Sequence, residues 1–213
     1  MSKSQKFLVA IFLFAAFVVF SFFVQKRIFN AFDFDTTVRF QNHIDATFGQ
    51  RRGFDTLLSV LSLLGSVEVV TVLLFLLLIL KRNLGLFLLV PFSFLTIHIV
   101  EIFGKIFVRH PGPPFMFLRY DINFIFPSTY VKPGFSYPSG HAGRATFLSV
   151  ILLYFIWRSR LSRNIKILAS LIVLAFEMGM LVSRVYLGEH WTTDVIGGTL
   201  LGAALGLLTV TFI

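Results

Sequence analysis

"SRVYLGEHWTTD", residues 183–194, sets Ser183, Arg184, Glu189, His190 and Asp194 between two apolar stretches, Ile165–Val182 and Val195–Ile213. Each stretch approaches the roughly 20 apolar residues that a helix needs to cross the hydrocarbon layer of a bilayer. Working outward, four more stretches qualify: Phe7–Val24, Leu57–Leu80, Leu84–Phe107 and Ala142–Trp157. The pattern predicts an all-α integral membrane protein of six transmembrane helices, a single domain over residues 1–213. Composition agrees, because 56% of the 213 residues are hydrophobic, far more than one soluble core consumes.

Other classes fall away at this level. The chain has no cysteine, which excludes a disulfide framework, a thiolate metal site and a cysteine nucleophile. The net charge of +9 fits contact with anionic lipid headgroups, so the bilayer is the expected partner and nucleic acid is not. The first apolar stretch follows Lys3 and Lys6 as a signal peptide would. It lacks a small-residue cleavage site before Gln25-Lys26-Arg27, and it reads as a retained anchor.

Topology follows from the basic residues. Lys3, Lys6, Lys81, Arg82, Arg158, Arg160, Arg163 and Lys166 fall in segments on one side of the membrane, with no acidic residue among them. The positive-inside rule then predicts cytoplasmic N- and C-termini. The opposite side carries more Lys and Arg in total, Arg51 and Arg52 among them, and several of those cations lie in the polar clusters below, where function explains them better than topology does. Two long connections remain. The one from Gln25 to Asp55 reads equally well as an interfacial amphipathic helix, through Phe34, Val38, Phe40, Ile44 and Phe48, or as a wet loop. The one from Arg109 to Pro138 is rich in Pro, Gly and aromatic residues and forms turns without extending either neighbouring helix.

Strict alternation brings the polar clusters together. The third span ends at Lys105 to Arg109, the fourth begins at Ser139-Gly140-His141, and the fifth ends at Ser183-Arg184. The sixth begins just after His190 and Asp194, and all four points emerge on one face, opposite the basic turns. Lys105, Arg184 and Arg109 supply cations, and a guanidinium grips phosphate through two parallel hydrogen bonds. Ser139 and Gly140 lead into a helix whose unpaired N–H groups favour an anion. Asp194 lies four residues past His190, so the two side chains can meet on one helix face. A carboxylate on one ring nitrogen fixes the tautomer and makes the other nitrogen a better nucleophile or base. Two histidines, His141 and His190, suit phosphoryl transfer with no metal and no other cofactor: one attacks phosphorus and one protonates the departing oxygen. A lone Ser-Gly-His or His-x3-Asp recurs by chance; their joint occurrence on one face is what points to catalysis.

These residues resemble a known family. "PSGH" at 138–141, followed by Ser183, Arg184, His190 and Asp194, is similar to the second and third signature motifs of the type 2 phosphatidic acid phosphatase superfamily. Those are integral membrane lipid phosphatases, related to vanadium haloperoxidases. The resemblance implies that His190 is the nucleophile forming a phosphohistidine, Asp194 its orienting partner and His141 the acid. It implies that Ser139, Gly140 and Arg184 bind phosphate oxygens and that no metal is used. The first motif departs from the family: Lys105 is present, but six residues on stands Gly112-Pro113 in place of Arg-Pro. Arg109 or His110, in the same loop, is the available substitute, and Arg109 is taken with Lys105 as a phosphate ligand.

The remaining intramembrane charges read as structural. His98, Glu101 and Lys105 share a helix face, which makes Glu101 a partner for Lys105; Glu68, Arg144 and Glu177 are candidates for pairing between helices. Glu189 reads as a loop charge. With the N-terminus inside, the site opens to the extracytoplasmic face, and the resemblance offers undecaprenyl pyrophosphate, phosphatidylglycerophosphate or phosphatidic acid as the lipid phosphate substrate. Undecaprenyl pyrophosphate is preferred because recycling of that carrier exposes it on the outer side. The rival readings are a lipid transporter and a catalytically silent lipid-binding relative.

Overall fold

The computed structural model describes residues 1–48, 52–119 and 134–213. Within them run α1 (Lys3–Gln25), α2 (Asn30–Phe48), α3 (Arg52–Ser62), α4 (Val67–Lys81), α5 (Leu84–Val108), α6 (Gly140–Arg158), α7 (Arg163–Tyr186) and α8 (Thr192–Thr211). Single 3-10 turns lie at Leu63–Gly65 and Phe115–Phe117. Five helices, α1, α5, α6, α7 and α8, are long and apolar enough to span a membrane, and α3 and α4 pass the same test only taken together, as a pair broken and bent by 53°. Arg51 and residues 120–133 of the second long connection lie outside the described residues.

The broken span is the main departure from the hydropathy pattern, which predicts one continuous helix over Leu57–Leu80. The chain leaves the helical region at Ser66 (φ −65°, ψ 154°), whose hydroxyl then accepts from the Val69 N–H at 3.2 Å and starts α4 afresh. Ser62, Gly65 and Ser66 are poor helix formers, but Leu61, Leu63, Leu64 and Val67 around them keep the window apolar. The break has a use. It lets the Gly65 backbone meet α6, where an added Cβ would lie 2.9 Å from the carbonyl oxygen of His141.

Burial sorts the spans into two sets. In the apolar windows of α6 and α8, 61% and 67% of residues are buried, against 17%, 22% and 11% in α1, α5 and α7. The first two therefore form an inner pair, and the others turn Phe and Leu toward lipid. Lipid gives no hydrophobic drive between helices, so association depends on close van der Waals approach. α8 supplies it with Gly198, Gly202 and Gly206, spaced every fourth residue along one face. A Cβ at Gly202 would sit 2.2 Å from the Gly143 carbonyl oxygen, and one at Gly198 would sit 2.3 Å from that of Ser139. Backbone against backbone, the two helix N-termini are set side by side.

The connection after the first span is a helix, α2, and its polar side faces inward. Asp33, Thr37 and Gln41, four residues apart, are buried, while Phe32 and Phe34 are exposed. Phe40 and Ile44 pack on Leu58, Tyr186 and Leu187. The Gln41 amide donates to the carbonyls of Phe117 (2.9 Å) and Tyr186 (2.8 Å), joining α2 to the Arg109–Arg119 loop and to α7. Arg119 fastens the end of that loop through both guanidinium nitrogens to Asp45, at 2.5 and 2.8 Å. Those bonds hold the Asp45 carboxyl below the usual carboxylate range.

Candidate active site

At the shared N-terminal end of α6 and α8, Ser139, His141, Arg184, His190 and Asp194 are all buried within one region. The Ser139 N–H donates to the Asp194 carbonyl at 2.9 Å, so the two motif segments are bonded to each other directly. Ser139 caps α6: its hydroxyl oxygen accepts from the Ala142 N–H at 3.4 Å, which leaves its own proton to donate. Gly140 also packs against a carboxylate. An added Cβ would meet the Glu101 carboxylate, so a side chain here would push that carboxylate off its place between Lys105 and Arg144.

Glu101 sits between two cations, 2.7 Å from Lys105 Nζ and 2.9 Å from Arg144 Nη1. The predicted Glu101–Lys105 pair is present. Arg144, grouped with Glu68 and Glu177 from the sequence, pairs across helices with Glu101, and it also donates from Nε to the Gly65 carbonyl (3.1 Å) and from Nη2 toward His141 Nδ1 (3.4 Å). A guanidinium can only donate, so Nδ1 of His141 is an acceptor and the ring proton of the neutral form belongs on Nε2. Arg184, Arg144, His190 and Lys105 are the charged neighbours of His141.

The turn between α7 and α8 builds the other half. Gly188 takes a positive φ of 69°, and a Cβ there would strike the Phe117 carbonyl at 2.1 Å. Beyond it the N–H groups of Glu189 and His190 both donate to the Arg184 carbonyl at 3.2 Å, which fixes His190 over the end of α7. Ser183 is buried with its hydroxyl on the Met180 carbonyl, at 2.6 Å. The fully buried Arg184 guanidinium bonds Ser62 at the end of α3 and the Glu189 carboxylate. Glu189 is therefore a partner of Arg184, correcting its reading as a plain loop charge: the turn folds it inward.

His190 Nδ1 lies 3.6 Å from Asp194 Oδ2, longer than a hydrogen bond but close enough for the carboxylate to orient the ring. Burial pushes the His190 imidazole below its ordinary range, against the pull of Asp194. The same Oδ2 accepts from the Trp191 N–H at 2.9 Å, and Oδ1 lies 2.9 Å from His110 Nδ1. Behind His110 is Asp33, whose carboxylate caps α8 through the Thr193 N–H (2.9 Å) and hydroxyl (2.6 Å). Burial raises the Asp33 carboxyl above the usual range, with the Thr193 bonds working the other way.

The predicted set thus converges, with one exception. Lys105, Ser139, Gly140, His141, Arg184, His190 and Asp194 gather at one end of the helices. Arg109 does not join them: it has a positive φ of 50°, is exposed, and donates from Nε to the Ile106 carbonyl of its own helix at 3.0 Å. Beside Gln25, Arg27 and Phe107 it lines a shallow outer depression. Sequence reasoning missed Asp33, Ser62 and Gly65. The first was legible as the start of a polar stripe, Asp33-Thr37-Gln41; the other two belong to the unexpected break. Among the described residues, no three of His, Asp and Glu are arranged to hold a metal ion.

Comparison with known proteins fits this geometry. Over 86 residues the chain is 39% identical to the phosphatidylglycerophosphatase B of Bacillus subtilis, covering 38% of this chain and 40% of that one. Over 97 residues it is 35% identical to an undecaprenyl-diphosphatase of Sulfolobus acidocaldarius, covering 41% and 40%. The matched part therefore spans about two fifths of each relative's length. A crystal structure of a transmembrane PAP2 type phosphatidylglycerolphosphate phosphatase from Bacillus subtilis superposes with a TM-score of 0.72 at 20% identity, over 95% of this chain and 94% of that one. That likeness shows the fold. Residues 73–213 match the PAP2 superfamily, and with two thirds of its length inside that match, this chain belongs to it.

Proposed function

We propose that this chain is a membrane lipid phosphatase that hydrolyses a lipid phosphate through a phosphohistidine on His190. One observation carries the reading: two buried imidazoles at one end of the α6–α8 pair, each supported from behind. Asp194 stands behind His190 Nδ1 and Arg144 behind His141 Nδ1, which turns the Nε2 atom of each ring to the reacting centre. His190 Nε2 attacks phosphorus, the P–N bond forms, and the P–O bond to the lipid breaks. His141, having taken a second proton from solvent, gives its Nε2 proton to the departing oxygen and is left neutral. Water then attacks the phosphohistidine, the neutral His141 takes its proton at Nε2, and inorganic phosphate leaves with His190 regenerated. Lys105, Arg184, the Ser139 hydroxyl and the α6 N-terminus with Gly140 hold the phosphoryl oxygens, donors set where charge develops.

The names of the relatives support two substrate classes equally, a lipid diphosphate and a glycerolipid monophosphate. Undecaprenyl pyrophosphate is the substrate we favour, with phosphatidylglycerophosphate and phosphatidic acid as alternatives. The site faces the extracytoplasmic side in this reading, since the basic turns carrying Lys81, Arg82, Arg158, Arg160 and Arg163 close the other end. The purified protein, given each lipid in detergent micelles, tests the proposal by phosphate release. Release from undecaprenyl pyrophosphate is expected, with a labelled phosphoryl group trapped on the wild type under mildly alkaline quench and absent from His190→Ala. Undiminished release by His190→Ala would refute the mechanism.

A further inference from the structure

The loop cation missing from the first motif leaves His110 without an assigned role. Its surroundings give it one. The ring is 5% exposed; Nδ1 lies 2.9 Å from Asp194 Oδ1 and Nε2 lies 3.9 Å from Asp33 Oδ2. Both nitrogens thus face carboxylates, one from α8 and one from α2, and neither is turned to a phosphate. The backbone is held as firmly as the ring. The His110 carbonyl accepts from the Ser136 N–H at 2.9 Å and from its hydroxyl at 3.3 Å, and the next carbonyl, of Pro111, accepts from Trp191 Nε1 at 2.8 Å. The loop is pinned at once to the segment leading into Ser139 and to the residue after His190.

We infer that His110 is a positioning residue: by occupying Oδ1 of Asp194 it fixes the carboxylate plane so that Oδ2 faces His190, and it does not bind the phosphoryl group. This rests on the proposed reading of His190 as nucleophile. Asp194 has two oxygens and three neighbours that compete for them. The Trp191 N–H holds Oδ2 from the backbone at 2.9 Å, while His190 is only 3.6 Å from it. Rotation about the Cβ–Cγ bond would carry Oδ2 away from His190, and on that oxygen the Trp191 bond opposes it. The bond from His110 to Oδ1 opposes the same rotation from the other oxygen. In place of a further cation on the phosphate, the loop supplies a clamp on the partner of the nucleophile.

The experiment compares His110→Ala, His110→Asn and His110→Gln in the full-length, detergent-purified protein, with inorganic phosphate as an inhibitor that reports oxyanion binding. The Asn amide nitrogen lies near where Nδ1 was, whereas that of Gln lies nearer Nε2. His110→Ala should lower kcat about 10- to 100-fold, the usual cost of losing a partner one step behind a reacting group, with KM and phosphate inhibition within about twofold of wild type. His110→Asn should recover most of the loss. Unchanged kcat in His110→Ala, equal activity in Ala and Asn, or a loss expressed in KM and phosphate inhibition overturns the inference. If His110→Ala does not fold, as judged by thermal unfolding, the ranking of Asn above Gln in kcat decides, and the reverse ranking or a tie overturns it. An inactive wild type would instead overturn the lipid phosphatase reading, so the two failures are distinguishable.

Discussion

The two ends of the α6–α8 pair are both rich in cations, and they use them differently. At the N-terminal end, Arg144 and Arg184 are buried and meet carboxylates or hydroxyls: Glu101, Glu189 and Ser62. At the other end the cations lie against rings and carbonyls. Lys81 sits 4.7 Å from the Phe155 ring centroid, Arg158 sits 5.6 Å from that of Tyr154, and Lys6 donates to the Val210 carbonyl at 3.0 Å. A cation on a half-buried ring anchors a helix at the bilayer surface through its amphipathic stem. A buried cation is tolerated only when paired, and its position is then set by the pair. Net charge does not separate a site from an anchor; what each charge touches does.

Three substitutions sharpen that contrast. Arg184→Lys keeps the charge but loses the planar fork that reaches Ser62 and Glu189 together. Phosphate release should fall by about 10²–10³ in kcat, the range for removing one oxyanion donor, and steady-state kinetics on the lipid substrate will show it. Gly202→Ala tests whether the contrast depends on how closely the inner pair approaches. Its Cβ would meet the Gly143 carbonyl oxygen, a backbone atom that cannot swing aside, so the helices must separate. A loss of about 1–3 kcal/mol is expected, read as a lowered Tm in detergent with a parallel fall in activity. Lys81→Ala belongs to the anchoring end and should change kcat/KM by less than about twofold. An effect as large as that of Arg184→Lys would erase the distinction between the two ends.

Much of this was legible in the linear chain. Apolar stretches of membrane-crossing length located five spans to within a few residues, because the bilayer imposes one length on every helix that crosses it. His141, His190 and Asp194 stood out because alternation of the spans puts their short motifs on one face of the membrane. The break at Ser66 was not legible, since hydropathy averages over a window and two serines and a glycine are diluted by leucine. Nor was the inward face of α2. The sequence shows the stripe Asp33-Thr37-Gln41, but a stripe does not say whether water or protein lies beyond it. Arg109 and His110 make the sharpest case: adjacent residues, equally able by composition to replace a missing arginine, one turned outward and one buried between two carboxylates.

Residue order alone settled the class of the molecule and five of its spans, and it singled out the residues proposed to transfer a phosphoryl group, because those follow from side-chain chemistry and from the thickness of the bilayer. Tertiary structure decided which distant partners those residues have: Glu101 on Arg144, Ser62 on Arg184, His110 on Asp194. Such pairings depend on how helices far apart in sequence meet, and that is fixed by where glycine lets two backbones touch.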